Sequence, residues 1–229
     1  MNSALHGALV ECVPNFSEGA NLATVDAIVG SVISVPGIFL LGRESDADHN
    51  RSVVTFAGPP SAVCEAAVRA VKEAANRIDL TSHSGVHPRI GAADVVPFVP
   101  IENCTMDECA QLAHQAGERI WREARVPVYF YEFAARRPDR VRLEDVRRGG
   151  FAVLREQAVL GPARAPDCGG PALHPTAGAC ALSARRILIA CNVNLASQDL
   201  EVAKRIARQI RASNGGFPHV KALGLELAS

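Results

Sequence analysis

The sequence has few aromatic residues and no long apolar run. Aromatic side chains make up 5% of the 229 residues, and no apolar run approaches the roughly 20 residues that a membrane-spanning helix needs. Residues 1–16 lack the basic start and the long apolar core of a secretory signal peptide. Because the formal net charge is zero, nothing global suggests binding to nucleic acid or to an anionic membrane. We therefore expect a cytoplasmic protein.

The seven cysteines are scattered and mostly lie within apolar runs. Reduced, buried thiols in a cytoplasmic protein are the simplest interpretation. Cys104 and Cys109 do not have the Cys-x-x-Cys spacing of a structural zinc site, and no similar pair complements them. The cysteine pattern therefore predicts neither a disulfide framework nor a zinc site.

Short apolar runs alternate with amphipathic stretches, which predicts an α/β or α+β fold. Strands are predicted over 9–17, 38–42, 51–58 and 126–133. Apolar residues at helical spacing predict helices over 25–32 and 64–78, and another over 109–120 behind a capping box of Thr105 with Glu108.

The chain from about 160 to 178 is rich in glycine and proline, which favours a loop and a domain junction. A strand over 186–195, a helix over 202–210 and a strand over 220–227 follow it and predict one βαβ unit. Such a unit, of about 45 residues, is too small to bury a core by itself. We therefore predict one subdomain over 1–178 and a partial second one over 179–229.

Two histidines stand four residues apart in "HSGVHPRIGAADVVPF" (83–98). His83 and His87 resemble a zinc-binding His-x-x-x-His pair, but Gly85 and Pro88 disfavour the helix that this motif needs. A loop histidine can equally act as a general acid or base, since its unperturbed pKa is about 6.5, or be a solvated side chain. Spacing alone leaves these alternatives open.

The polar cluster "ESDADHNRS" (44–52) lies between two predicted strands. A solvated hairpin loop is one interpretation. Its alternating carboxylates resemble part of a calcium loop, but the glycine and the distal glutamate of that motif are missing. As a functional loop, it would offer the carboxylate of Glu44 to a cationic substrate and the amide of Asn50 as a hydrogen-bonding group.

Arginines suggest anion binding in two places. Arg89 can bind an anion or pair with Asp94. The stretch 136–148 holds six arginines against three acidic residues, which predicts a solvated helix face or, alternatively, attraction of an anionic substrate tail.

The glycine-rich segment "DCGGPALHPTAG" (167–178) lacks both common phosphate-loop motifs. It is either a linker or a backbone that approaches a planar ligand closely.

Several segments together carry a more specific signal. They are "VECVPNFSEG" (10–19), "DADHNRSVVTFAGPP" (46–60), "DLTSHSGVHPRIGAADVVPFVP" (79–100), "VPVYFYE" (126–132), "PTAGA" (175–179), "LIACNVNL" (188–195) and "GGFPHVKALGLEL" (215–227). In this order, over nearly the whole chain, they resemble the formiminotransferase family. The resemblance implies two α/β subdomains with a folate-binding groove between them. It also implies transfer of a formimino group from N-formimino-L-glutamate to tetrahydrofolate in histidine degradation.

The resemblance also implies roles for single residues. The histidine of the His-Pro-Arg triplet, His87, would be catalytic, together with the carboxylate of Glu44, whereas His83 has no implied role. Folate and substrate would contact Asn15, Asn50, Arg51, Gly169, Gly170, Pro175, Thr176 and Gly178. Tetrahydrofolate would be a co-substrate, and no metal is implied.

Members of the family continue past the segment that resembles 220–227 with further strands and an active-site arginine. Because the sequence ends at Ser229, we expect an incomplete second subdomain whose exposed edges and apolar faces favour a homodimer. The alternative to the transferase is a non-catalytic or formyl-handling folate-binding paralogue.

Overall fold

The computed structural model describes residues 7–83, 88–189, 191 and 193–226. The chain forms two compact units, residues 1–187 and 188–229. The strands described in the first unit are β1 (Leu9–Cys12), β2 (Asn15–Phe16), β3 (Phe39–Asp46), β4 (Arg51–Gly58), β5 (Ala93–Glu102), β6 (Val128–Glu132) and β7 (Cys180–Ala184). Its helices are α1 (Leu22–Ile33), α2 (Pro60–Arg77), α3 (Met106–Ala124), α4 (Leu143–Val146) and α5 (Gly150–Gln157). The predicted α/β class is confirmed.

The strands form one mixed sheet. β3 pairs with β4, and β4 pairs antiparallel with β1 and β2, which both also pair antiparallel with β5. β5, β7 and β6 then run parallel to one another. Because β2 lies between the start of β4 and the start of β5, polar residues from three separate parts of the sequence meet there.

Both faces of the parallel part of the sheet are covered. α1, α2 and α3 pack side by side over one face, where Val128 and Phe130 of β6 are buried. The alternate residues, Tyr129 and Tyr131, point to the other face and join a second apolar cluster that includes Leu154 of α5. Parallel strands are typically buried on both sides, which explains the continuous apolar character of "VYFY".

The arginine-rich stretch differs from its prediction. It forms a short 3-10 turn (Pro138–Arg140) and α4. Arg142 and Arg148 are exposed, as a solvated face requires, but the side chains of Arg140 and Arg147 are only 5% and 15% exposed. Each of these two arginines forms an ion pair with an aspartate that is distant in the sequence. The local charge pattern could not reveal those partners, so the prediction was wrong for these two arginines.

The second unit contains α6 (Leu200–Ile210), in agreement with the predicted helix. Its N-cap Asp199 accepts a hydrogen bond from the backbone of Glu201 at 2.8 Å. The residues described within 186–195 and 220–227 form no strand, which corrects both strand predictions. Apolar residues such as Ile189 and Leu223 are 88% and 80% exposed. A β-prone sequence becomes a strand only when a neighbour completes its hydrogen-bond ladder.

The predicted boundary after residue 178 lies before β7. Since β7 pairs with both β5 and β6, residues 180–184 are part of the sheet of the first unit. Across the described parts of both units, no helix combines the length and the apolar character needed to cross a bilayer.

Candidate active site

A small open cleft, with a cavity volume of only about 10 Å³, lies where β2, β4 and β5 begin. β2 and the residue after it bring residues 15–17, and the turn before β4 with the first residue of β4 brings residues 49–51. Arg89 comes from the chain before β5, and Asp94 lies in β5. The register aligns Phe16 with Ser52 on one side and with Ala93 on the other. The sheet therefore gathers three of the sequence segments that carried the family resemblance.

Arg51 provides a fixed positive charge in this cleft. Its Nη2 donates to Oδ1 of Asn15, whose Nδ2 donates to the carbonyl of Val13 at 2.9 Å. The Nε of Arg51 is buried and has no hydrogen-bond partner among the described residues. Burial lowers the pKa of Arg51, and the charge of Arg147 adds to this effect. An arginine nevertheless stays protonated in proteins, so Arg51 keeps its positive charge in the cleft.

Asn50 fixes the turn that delivers Arg51. Its backbone has φ 45°, a left-handed conformation that asparagine tolerates better than most residues. Its Oδ1 accepts from the backbone N–H of Gly19 at 2.9 Å. The amide thus ties the turn to the chain after β2, so in the free protein Asn50 shapes the rim of the cleft.

His49 also lines the cleft, and the sequence analysis did not single it out. Asp46 accepts from the backbone N–H of His49 at 2.9 Å, and its other oxygen lies 2.8 Å from Nδ1 of the imidazole. Hydrogen bonds from the backbone and the side chain of His49 lower the pKa of Asp46. A carboxylate beside Nδ1 fixes the orientation of the ring. The only sequence signal for this pair was the Asp-x-x-His spacing within a turn.

Asp94 is a buried carboxylate at the edge of the cleft, 3% exposed. Its Oδ1 accepts from the backbone N–H of Ile90 at 2.8 Å, and its Oδ2 pairs with Nη2 of Arg147. Burial raises the pKa of Asp94, whereas the charge of Arg147 and the Ile90 hydrogen bond lower it. The backbone of Ile90 and the side chain of Arg147 already supply partners for both oxygens of this carboxylate. Pairing with Arg89, one of the two alternatives for that residue, is therefore not needed to satisfy it.

Arg89 lies against the imidazole of His83, where its Nη1 contacts Nδ1 and is 2.9 Å from Nε2. Burial lowers the pKa of His83, and the positive charge of Arg89 lowers it further. His83 is therefore neutral at pH 7 and accepts from the guanidinium. This contact gives His83, which had no implied role, a place beside a residue of the cleft.

The end of the glycine-rich segment packs against described residues of the segment 79–100, the central block of the sequence. His174 and Gly178 exchange two backbone hydrogen bonds, of 2.9 and 3.0 Å. Leu80 donates to the carbonyl of Thr176 and Ala92 to the carbonyl of Ala177, both at 2.9 Å. Residues 175–178 are thereby held between the two ends of the segment 80–92.

Gly178 is required by this packing. It has φ +70°, and a Cβ there would lie 2.1 Å from the carbonyl oxygen of Ile90. Gly169 packs instead against Trp121 of α3, whose ring would be 2.4 Å from a Cβ, and Gly170 packs against Pro166. The segment therefore has two ends with different surroundings, and only the end at 175–178 adjoins the central block.

Comparison with known proteins identifies the family. A sequence profile of the formiminotransferase domain, N-terminal subdomain, matches residues 9–185. The chain belongs to the formiminotransferase family. The matched residues extend from β1 to just beyond β7, so the N-terminal subdomain of a formiminotransferase coincides with the sheet and helices of the first unit.

Individual relatives support the same assignment. The chain is 48% identical to glutamate formimidoyltransferase of Streptococcus pyogenes serotype M1, over 96% of this chain and 73% of that protein. It is 44% identical to glutamate formimidoyltransferase of Thermoplasma acidophilum, with the same coverage of both chains. It is also 45% identical to formimidoyltransferase-cyclodeaminase of Gallus gallus, over 91% of this chain and 38% of that protein.

The residues that the formiminotransferase resemblance singled out are only partly brought together. Asn15, Asn50 and Arg51 all line the cleft. Glu44 is exposed on β3 opposite Val53, and its negative charge favours the charged form of Arg51. His87 lies outside the described residues, between the described positions His83 and Pro88.

Proposed function

We propose that the protein is a glutamate formimidoyltransferase, which moves a formimino group from N-formimino-L-glutamate to tetrahydrofolate. The observation that carries the proposal is its identity of 48% and 44% to two proteins of that name over 96% of this chain. The reaction belongs to one-carbon metabolism and to histidine degradation. It forms a bond between N5 of the folate and the amidine carbon, and it breaks the bond between that carbon and the glutamate nitrogen.

The charges of the cleft suit this donor. N-formimino-L-glutamate carries two carboxylates and a cationic amidine. Arg51 and Arg89 both line the cleft, and guanidinium groups bind carboxylates through charge-assisted, often bidentate hydrogen bonds. Asn15 and Asn50 line it as well and supply amide groups. We place a carboxylate of the donor at the two arginines.

The proton transfers need a base and an acid. In the proposed mechanism, His87 takes the proton from N5 as the tetrahedral adduct forms and later gives a proton to the leaving glutamate nitrogen. The carboxylate of Glu44 stabilises the positive charge of the amidinium. Holding donor and folate together supplies a large further part of the acceleration.

We propose that the folate lies along the glycine-rich segment. Gly169, Gly170 and Gly178 have φ values of +79°, +88° and +70°, a left-handed conformation that glycine adopts readily, and Gly170 and Pro175 are exposed. Pro175 and Thr176 belong to the end that adjoins the central block. Folate bound at this end would lie next to the segment that contains His87.

Location and assembly follow from other features. All seven cysteines are free thiols, which suits a reducing cytoplasm. β3 pairs only with β4 in the described sheet, and Phe39 and Leu41 are 65% and 60% exposed. An apolar edge strand is a template for pairing with another chain. We therefore propose a cytoplasmic homodimer, and sedimentation equilibrium that gave a monomer would contradict it.

The proposed activity is tested by product identification. Purified protein is incubated with N-formimino-L-glutamate and tetrahydrofolate, and 5-formiminotetrahydrofolate and glutamate are quantified by mass spectrometry. We expect equal amounts of both products and no reaction when tetrahydrofolate is omitted. N-formyl-L-glutamate as the donor is expected to react much more slowly. Folate binding without either product would contradict the proposal and favour a non-catalytic paralogue.

A further inference from the structure

Asp94 connects three segments of the chain at the cleft. It stands in β5, which pairs with β2 next to Asn15. One of its oxygens holds the backbone N–H of Ile90, and the other pairs with Arg147, the residue that follows α4. Arg147 lies 53 residues away in the sequence. The carboxylate therefore fixes the chain just after Arg89 relative to the sheet.

Asp94 also sets the charge balance of the cleft. Its negative charge favours the charged forms of both Arg51 and Arg89, whereas Arg147 disfavours the charge of Arg51. Arg51 and Arg89 line the cleft together with Asp94. The negative charge of Asp94 thus offsets the repulsion between the guanidinium groups of Arg51 and Arg147.

We propose that the Asp94–Arg147 ion pair positions Arg51 and Arg89 so that they bind a carboxylate of the amino-acid substrate. This inference rests on the proposed function, since it concerns the same cleft. Asp94 is a positioning residue in this account, because the carboxylate ligand contacts the two cleft arginines. A merely structural role for the pair would weaken the binding of both ligands and the stability of the fold alike, whereas a positioning role weakens the binding of the amino-acid ligand selectively.

The test compares two ligands in one set of variants. L-Glutamate, the carboxylate product, and 5-formyltetrahydrofolate are titrated calorimetrically into the wild type, Asp94→Asn, Arg147→Gln and the double variant. Asp94→Asn keeps an oxygen for Ile90 but removes the charge. Asp139→Asn is the matched control, because it neutralises the exposed ion pair of Asp139 with Arg137 in the same region.

We expect Asp94→Asn to weaken glutamate binding by about tenfold or more, which corresponds to about 1.4 kcal/mol, with folate binding within about twofold of the wild type. The double variant should bind glutamate no worse than the weaker single variant, because the pair acts as a unit. Equal weakening of both ligands, or unchanged glutamate binding, would overturn the inference. A wild type that binds glutamate selectively but transfers no formimino group would overturn the proposed function alone.

A second, independent observation concerns two thiols at the start of α3. Cys104 and Cys109 have 3.6 Å between their Sγ atoms. Thr105 is the N-cap in a capping box with Glu108, which places Cys104 just before the cap and Cys109 in the first turn. These are the two positions that side chains of a hydrophobic staple occupy. The cap therefore holds the two sulfur atoms next to each other.

The two thiols differ in access. Cys104 is half-buried and lines a pocket with Gln111 and Gln115, whereas Cys109 is buried. Burial, together with the contact from Cys104, raises the pKa of Cys109 to about 12. Since Cys104 is the more accessible of the two sulfur atoms, it is the thiol that an oxidant meets first.

We infer that Cys104 and Cys109 are a site of reversible oxidation to a disulfide by a peroxide. Hydrogen peroxide converts the Cys104 thiol to a sulfenic acid and releases one water molecule. The Cys109 sulfur then attacks the Cys104 sulfur, and its proton leaves with the sulfenic hydroxyl as a second water molecule. The sulfur atoms must approach by about 1.5 Å to reach bonding distance, which rotation of the half-buried Cys104 side chain can supply.

Peptide mapping under non-reducing conditions tests this site. After treatment with hydrogen peroxide, we expect a peptide linked through Cys104 and Cys109 that disappears with dithiothreitol. Cys104→Ser should abolish it, whereas Cys168→Ser, at a half-buried thiol that contacts the carbonyl of Gly117, should leave it unchanged. Oxidation of Cys104 to sulfinic acid without the linked peptide would overturn the inference.

Discussion

Arg140 and Asp167 form an ion pair in the interior of the first unit, with 2.6 Å between Nη1 and Oδ1 and with each side chain 5% exposed. The second oxygen of Asp167 accepts from the backbone N–H of Phe130 in β6 at 2.9 Å. The guanidinium of Arg140 lies 5.0 Å from the centre of the Tyr129 ring. The pair thus joins the arginine-rich stretch to the strand and to the start of the glycine-rich segment.

Removing Asp167 should destabilise the protein strongly. Asp167→Ala leaves a buried, uncompensated guanidinium, which costs about 3–5 kcal/mol. Urea unfolding followed by circular dichroism measures the change. Asp139→Asn, at an exposed pair, should leave the stability almost unchanged. Similar losses for the two variants would show that burial does not govern the strength of these pairs.

The free energy of unfolding should fall as the pH drops below about 6.5, which is the unperturbed pKa of histidine. Burial lowers the pKa of both His83 and His174. A histidine whose pKa is lower in the folded state contributes stability that is complete above its pKa in the unfolded state. That stability is lost as the pH falls through its pKa in the folded state. His174 Nδ1 accepts from the backbone of Ala177 at 3.0 Å, so its protonation breaks that contact.

The variant His174→Asn separates the contribution of His174. Asparagine can place an oxygen where Nδ1 accepts but does not titrate in this range. Urea midpoints measured between pH 8 and pH 5 should therefore change less in His174→Asn than in the wild type. An unchanged pH dependence would assign the effect to His83 or to other groups.

Gly178→Ala should be strongly destabilising. The left-handed backbone costs about 1–3 kcal/mol for a residue with a side chain, and the new Cβ would also lie 2.1 Å from the Ile90 carbonyl oxygen. Gly161→Ala is a suitable control, because nothing lies within 4 Å of its Cβ position. Thermal melting should give a large drop for the first variant and almost none for the second. Two similar melting temperatures would contradict the packing described at 175–178.

Thr105→Ala should cost about 1 kcal/mol, the usual effect of removing a helix cap. Thr105 accepts from the backbone of Glu108 at 3.2 Å, and Glu108 accepts from the backbone of Thr105 at 2.7 Å. Thr105→Ser keeps the hydroxyl group and should stay close to the wild type in urea unfolding. A serine variant as unstable as the alanine variant would mean that the hydroxyl does not act as the cap.

The sequence correctly predicted those elements that depend on a pattern among neighbouring residues. β4 spans Arg51–Gly58 as its run of β-branched residues indicated, and the capping box at Thr105 is present. A hairpin loop was one interpretation of the polar cluster 44–52, but Glu44 and Asp46 belong to β3. β4 supplies hydrogen-bond partners along the whole of β3, and such partners override the low strand propensity of acidic residues.

Long-range contacts explain most of what the sequence could not predict. The partner of Arg147 is Asp94, 53 residues earlier, and the partner of Arg140 is Asp167. No spacing rule connects such pairs. The family resemblance did select Asn15, Asn50 and Arg51, which the structure brings into one cleft. It did not select His49, Asp94 or Arg147, whose importance is visible only once the sheet has brought the segments together.

The most direct test of the account is the initial rate of tetrahydrofolate-dependent glutamate release in the wild type and in His87→Ala, with a 5-formyltetrahydrofolate titration of both. A histidine that shuttles the proton between N5 and the leaving nitrogen contributes about 10²–10⁴-fold. We predict transfer by the wild type, a rate reduced by at least about a hundredfold in His87→Ala, and similar folate affinity in the two proteins. Near-normal turnover by His87→Ala would contradict the mechanism, and no transfer by the wild type would contradict the proposed function.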